Sequence, residues 1–220
     1  MKALEELWSG CEAILLDFDG VLADSEPFYR RSWNRVLSRW NHSVGKEDYW
    51  KYWAYLGQGL EGEMERTGLL VPSPDEAKAE QKKIYAEFCH SGVIKPFPGA
   101  EKLLSAIIKL KPCAIASNTS SDLIRCITSR WGAAVPTIVG GEGLRSKPCP
   151  DIYLKASELL SVKPSRCLVI EDAMKGVIAG REAGMKVILV RNGYNDPFDA
   201  NGASGESRGL MPLVEIVEGS

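Results

Sequence analysis

The segment ILLDFDGVLADSEP, residues 14 to 27, carries an apolar run straight into Asp17 and Asp19. Carboxylates two positions apart in an extended chain point to one side. Such a pair repels, and one member is pushed toward its protonated form unless a cation offsets the charge. Other reactive side chains also stand at the ends of apolar runs: Ser117 and Asn118 after one, Glu171 and Asp172 after another, with Lys147 and Pro148 just before a helical stretch. Brought together, these residues supply several carboxylates, a lysine and a hydroxyl. That inventory suits a hard cation beside a phosphate, and oxygen ligands of this kind favour Mg²⁺.

The elements that would bring them together are readable. Short apolar runs at 12–19, 112–117, 167–172 and 186–190, with a weaker one at 136–141, alternate with helical patterns at 99–110, 120–132, 149–160 and 173–185. Apolar strands separated by helices specify a parallel sheet covered on both faces. The fold class is therefore α/β, a doubly wound (Rossmann-like) parallel sheet whose ligand crevice lies at the carboxyl ends of the strands. The pairs Asp17/Asp19, Ser117/Asn118 and Glu171/Asp172 sit at such ends. Residues 27–94 interrupt the rhythm with helical patterns at roughly 27–41, 47–56, 58–67 and 75–90. The expected organisation is a discontinuous α/β core, 1–26 and 95–220, with an inserted helical cap at 27–94. The Gly/Asn/Asp/Ser-rich piece 192–209 reads as a surface loop, and LMPLVEIVEG as a last short element.

The sequence resembles the haloacid dehalogenase-like superfamily of phosphotransferases, in its helical-cap branch with β-phosphoglucomutase-like and phosphoglycolate phosphatase-like members. DFDGVLADSEP matches the first family motif, ASN at 116–118 the second, KPCPDIY at 147–153 the third, and IEDAMKGVIAGREAGM at 170–185 the fourth. The resemblance implies a nucleophilic Asp17 that forms an aspartyl-phosphate. It implies an acid–base role for Asp19, and phosphoryl binding by Ser117, Asn118 and Lys147. Mg²⁺ would be held by Asp17, the Asp19 carbonyl and Asp172, with Glu171 assisting. Asp19 itself argues against haloacid chemistry, since the family's dehalogenases lack that acid.

The implied activity is hydrolysis of a small phosphate monoester, a sugar phosphate or phosphoglycolate-like metabolite. Two alternatives stay within the resemblance. A hexose-phosphate mutase would carry a histidine where Tyr29 stands and an arginine in the loop GQGLEGE (57–63), which has none. A phosphonatase would need a cap lysine, for which Lys46 and Lys51 are candidates. A phosphometabolite-binding regulatory protein is the non-enzymatic alternative, although no catalytic position is lost. A structural interaction module built on the aromatic insert would instead expose an apolar patch.

Composition narrows the partners. The 220 residues carry a formal net charge of −2 and are 45% hydrophobic, without the basic excess of a nucleic-acid binder. Lys82 and Lys83 read as a solvated helix face. The six cysteines are scattered without metal spacing, as in a reducing, cytoplasmic setting. The opening MKALEELWSG has no apolar core of a signal peptide, and no apolar window reaches membrane-spanning length. The expected state is a monomer or weak dimer. His42 and His90 both lie in the insert and have no candidate partner for a triad. GGEGLRSK (140–147) fits neither phosphate-loop pattern. The insert concentrates Trp33, Trp40, Trp50 and Trp53. At helical spacing Trp50 and Trp53 share a face, as its own core or as a lid surface.

Overall fold

The computed structural model describes residues 2–132 and 134–220. Six parallel strands, β1 Ala13–Leu16, β2 Cys113–Ala116, β3 Thr137–Val139, β4 Cys167–Glu171, β5 Lys186–Arg191 and β6 Gly205–Arg208, form one sheet in the order β3-β2-β1-β4-β5-β6. β1 is central because its four residues are all apolar and buried, and it pairs with β2 on one side and β4 on the other. Alternation divides each strand between two cores. Ile14, Leu16, Ile115 and Ile170 face one side, and Ala13, Leu15, Ala114 and Val169 the other. The first face is covered by α1 Lys2–Ser9, α6 Ala100–Leu110, α7 Ser121–Thr128 and α10 Met211–Glu218. The second is covered by α8 Asp151–Leu159 and α9 Met174–Glu182.

Between β1 and β2 the chain is helical: α2 Glu26–Leu37 with a 3₁₀ turn to Trp40, α3 Lys46–Asp48, α4 Gly59–Thr67 and α5 Pro74–Ser91. From Tyr49 to Tyr55 the helix widens into π turns, with the Leu56 amide donating to the Lys51 carbonyl five residues back. Trp50 and Trp53 are nevertheless both buried in the block's own core and both pack on Tyr49. Trp53 also meets Trp33, and Trp50 also stacks on Tyr194. Trp33, Tyr49, Trp53 and Leu60 build the core of this helical block.

One expectation is revised. Residues 192–209 are not wholly loop, since Gly205–Arg208 pairs with β5 as the edge strand. Its polar sequence GESR hides this, because an edge strand needs little apolar surface. The N-terminal α1 is also a regular helix, burying Leu4 and Trp8. No described helix is long and apolar enough to cross a membrane.

Candidate active site

β1 stops at Leu16, and the Asp17 amide still donates to the Ile170 carbonyl at 2.9 Å. Asp17 is thereby fixed beside the end of β4, where Glu171 and Asp172 stand. Gly20, at φ +82°, turns the chain immediately afterward. A side chain there would strike the Asp172 carboxylate, as one at Gly176 would strike that of Glu171. Glycine at these two positions lets the backbone close on the acids.

Lys147 enters from the segment before α8 and reaches the centre of the cluster. Its ammonium donates to Asp17 Oδ1 at 2.5 Å, Glu171 Oε1 at 2.7 Å and the Ala116 carbonyl at 3.0 Å. All three of its protons are used. Its side chain is only 2% exposed. Burial opposes its charge, but the two carboxylates overcome that and raise its pKa.

The two acids share this one cation unequally. Glu171 also accepts from the Tyr153 hydroxyl at 2.7 Å and from the amides of Asp172 and Ala173 at 2.9 and 3.2 Å. Although burial pushes its carboxyl upward, Lys147 and these donors hold it below the usual range. Asp17 is pushed up to about 8, first by burial and then by Glu171, with Lys147 opposing. Asp172, buried beside Glu171 and Asp17, is also held well above the usual range. Among the described residues, Asp17 Oδ2 and Asp172 Oδ1 accept no hydrogen bond. Asp17, Glu171 and Asp172 each offer an oxygen within 4.8 Å of the others. Lys147 thus bonds two of three close carboxylates and Lys175 offsets Asp172 only in part, and an all-oxygen donor set with surplus negative charge fits a hard divalent cation.

Asp19 points elsewhere. Its Oδ1 accepts from Ser25 at 2.5 Å and Tyr85 at 3.2 Å, and its Oδ2 from Ser117 at 2.9 Å and Thr119 at 2.7 Å. Ser117, expected to face a phosphoryl group, thus bonds Asp19 in this arrangement. The Asn118 side chain accepts from the Lys147 amide at 3.0 Å and so fixes the lysine segment to the end of β2. Sequence reading named neither Thr119 nor Tyr85. Thr119 follows the quoted ASN directly, whereas Tyr85 arrives from α5, 66 residues from Asp19, and has no local signal.

Above these groups lies a cavity of about 520 Å³ that also touches the helical block. Its wall includes Trp33, Tyr49, Trp53 and Leu60, with Glu26 and Gln81 as polar points. Glu26 accepts from the Tyr49 hydroxyl, and burial raises its carboxyl. Tyr29, Gly57 and Gly59 also line the cavity. Lys46 and Lys51 are exposed and outside the lining, which instead includes Lys78 and Lys82. Lys82 thus borders the cavity mouth as well as solvent. In GGEGLRSK, Glu142 accepts from the Ser121 amide at 2.6 Å and caps α7. His42 does have a carboxylate partner, Glu63 at 2.8 Å, but their network runs to Trp53 and Arg66.

Residues 11–184 match the family model for haloacid dehalogenase-like hydrolases, and the chain belongs to that family. It is 33% identical over 197 residues to hexitol phosphatase A of Escherichia coli (strain K12), covering 86% of this chain and 85% of that one. It is 30% identical over 200 residues to a phosphorylated carbohydrates phosphatase of Thermotoga maritima, covering 84% and 88%. Protein SUPPRESSOR OF QUENCHING 1, chloroplastic, of Arabidopsis thaliana is 33% identical over 198 residues, which are 84% of this chain but only 18% of that one. Among solved structures, CbbY of Rhodobacter sphaeroides in complex with phosphate shares the fold at TM-score 0.78 and 24% identity, covering 92% and 96%.

Proposed function

We propose that the protein is a Mg²⁺-dependent phosphatase that hydrolyses a small phosphate monoester, a sugar phosphate or phosphorylated polyol, through an aspartyl-phosphate on Asp17. The observation that carries this reading is Lys147 bridging Asp17 and Glu171 beneath the cavity, with Asp17 and Asp172 keeping open oxygens. The names of the hexitol and phosphorylated-carbohydrate phosphatases support the substrate class. In this reading residues 1–26 and 95–220 are the catalytic core and 27–94 the cap that closes the cavity.

Asp17 attacks phosphorus through a carboxylate oxygen while the bond from phosphorus to the ester oxygen breaks. Asp19 donates its proton to the departing alkoxide, leaving the alcohol. It then removes a proton from the incoming water, whose oxygen bonds phosphorus as the bond to Asp17 breaks, releasing inorganic phosphate. For this, Asp19 exchanges some of its four hydroxyl partners for the substrate, and Ser117 turns to a phosphoryl oxygen together with the Asn118 amide. Lys147 offsets charge on Asp17 and the transferring group. Mg²⁺ would be held by Asp17, Asp172 and the Asp19 main-chain carbonyl, where it supplies charge stabilisation of the phosphoryl oxygens. Glu171, whose oxygens are occupied, supports Lys147 and the turn behind that site.

The volume suits a ligand of hexose size. Its aromatic wall offers ring faces for an apolar sugar face, and Glu26 and Gln81 offer partners for hydroxyls. The test is phosphate release from hexose phosphates, hexitol phosphates, phosphoglycolate and p-nitrophenyl phosphate, with Mg²⁺ or with EDTA. Metal-dependent release, fastest with a phosphorylated sugar or polyol, is expected. Release unaffected by EDTA, or confined to p-nitrophenyl phosphate, would contradict this reading.

A further inference from the structure

The loop after β5 ties Asp172 to the helical block. The Asn192 side chain donates to Asp172 Oδ2 and to the Gly20 carbonyl, both at 2.9 Å. Its own Oδ1 accepts from the amides of Tyr194 at 2.9 Å and Asn195 at 3.3 Å. Asn195, fully inside, donates to the Asp172 carbonyl at 2.6 Å and the Val190 carbonyl at 2.8 Å, and accepts from the Asn192 amide at 3.1 Å. Arg191 braces the loop through the carbonyls of Asn195 and Phe198 at 2.8 and 2.7 Å. These bonds leave Asn192 with one orientation, its amide aimed at the acid.

The far side of the same loop grips the block. The Tyr194 ring stacks on Trp50 with centroids 4.0 Å apart and planes 7° from parallel. Phe198 packs on Tyr55, whose hydroxyl donates to the Asp199 carbonyl. The contact has a cost as well. Trp50 Nε1 is the buried side-chain polar atom that finds no hydrogen-bond partner among the described residues. Stacking favours engagement, while the stranded N–H favours withdrawal into water, so the contact is suited to opening and closing.

We propose that Asn192 is a positioning residue for Asp172, and that loop 192–199 couples cation binding at Asp17 and Asp172 to engagement of the helical block through the Tyr194–Trp50 stack. It rests on the reading of those acids as a cation site. A cation that fixes Asp172 fixes Asn192 and the loop, and reciprocity requires that an engaged block raise cation affinity by the same factor. The sequence gives no sign of this, since NGYNDPFD reads as a polar surface loop.

The test is titration of MgCl₂ into the whole protein, followed by calorimetry and by tryptophan emission, so that no turnover is needed. The proteins are wild type, Asn192→Leu, which keeps the volume without the donor, and Tyr194→Ala, with circular dichroism as the check on folding. Wild type is expected to bind Mg²⁺ with a change in tryptophan emission. Asn192→Leu weakens binding about tenfold or more, as loss of a ligand's hydrogen-bonding partner does. Tyr194→Ala removes the stack on Trp50 and the hydroxyl's bond to Asp24 at 3.2 Å while keeping the amide that orients Asn192; it weakens binding about fivefold and loses the emission change. Failure of wild type to bind Mg²⁺ would overturn the cation site and this inference with it. Wild-type binding with a folded Asn192→Leu unaffected would overturn the positioning role alone. Unchanged affinity and emission response in Tyr194→Ala would overturn the coupling.

Discussion

Asp17 and Glu63 are both buried carboxylates, and their surroundings are opposite. Glu63, in the helical block, accepts from Trp53 Nε1 at 2.9 Å, His42 at 2.8 Å and Arg66 at 2.6 Å. Burial opposes its charge, but these donors prevail and hold it below the usual range. Asp17 shares its single cation with Glu171, faces further acids and is pushed up to about 8, mainly by burial. A carboxylate that only supports structure is saturated with donors. One that acts keeps an oxygen open to a cavity and carries charge the protein has not offset. On the proposed reading, chemistry lies at the strand ends, and the Glu63 network is scaffolding within the block.

The largest effect expected is on turnover. Asp17→Asn removes the proposed nucleophile with little change in shape, and phosphate release should fall roughly 10⁴-fold or more, whereas Glu63→Gln should retain release within an order of magnitude. Steady-state assays of both variants break the contrast if their effects are similar.

Stability is the next effect. Lys147→Met leaves Asp17 and Glu171 buried without their shared cation, and should cost about 3–5 kcal/mol in urea unfolding. Glu63→Gln, which weakens a satisfied network, should cost about 1–3 kcal/mol. Mg²⁺ should recover part of the first loss and none of the second.

Opposite pKa shifts give opposite pH dependences. The folded carboxyl of Glu63 lies below its unfolded value, so its contribution is present above about 4.5 and is lost as pH falls through the lower folded value. Asp17 lies above its unfolded value of 3.8, so its contribution is lost as pH rises toward about 8, at no more than about 1.4 kcal/mol per pH unit. Thermal unfolding of the metal-free protein should therefore show Glu63→Gln flattening the acid limb below about 4.5 and Asp17→Asn flattening the decline between 3.8 and about 8. The smallest effect belongs to Trp53→Phe. Losing the bond to Glu63 should cost about 1 kcal/mol and shift KM among sugar phosphates while kcat for p-nitrophenyl phosphate stays within about threefold.

The same contrast explains what was legible beforehand. Asp17, Glu171 and Asp172 end or adjoin strands, so strand pattern and parallel order place them on one edge, and Lys147 joins them from the segment before α8. Hydrophobic runs carry that information locally. Tyr85 and Asn192 reach Asp19 and Asp172 from elements whose position depends on how the block and the last loop pack, which no local pattern records. The π turns at Tyr49–Tyr55 likewise have no local signal, and the stack of Trp50 on Tyr194 depends on how the last loop packs. GESR at 205–208 reads as loop because an edge strand is held by backbone bonds to β5 rather than by apolar side chains.

The central claim is that Asp17 carries the phosphoryl group during turnover. The most direct measurement is acid quench of the protein with Mg²⁺ and its best phosphorylated sugar or polyol within the first turnovers, followed by peptide mass spectrometry. A phosphoryl adduct on the peptide containing Asp17, absent from Asp17→Asn, is the predicted result. An adduct on another residue, or unimpaired turnover in Asp17→Asn, would contradict it.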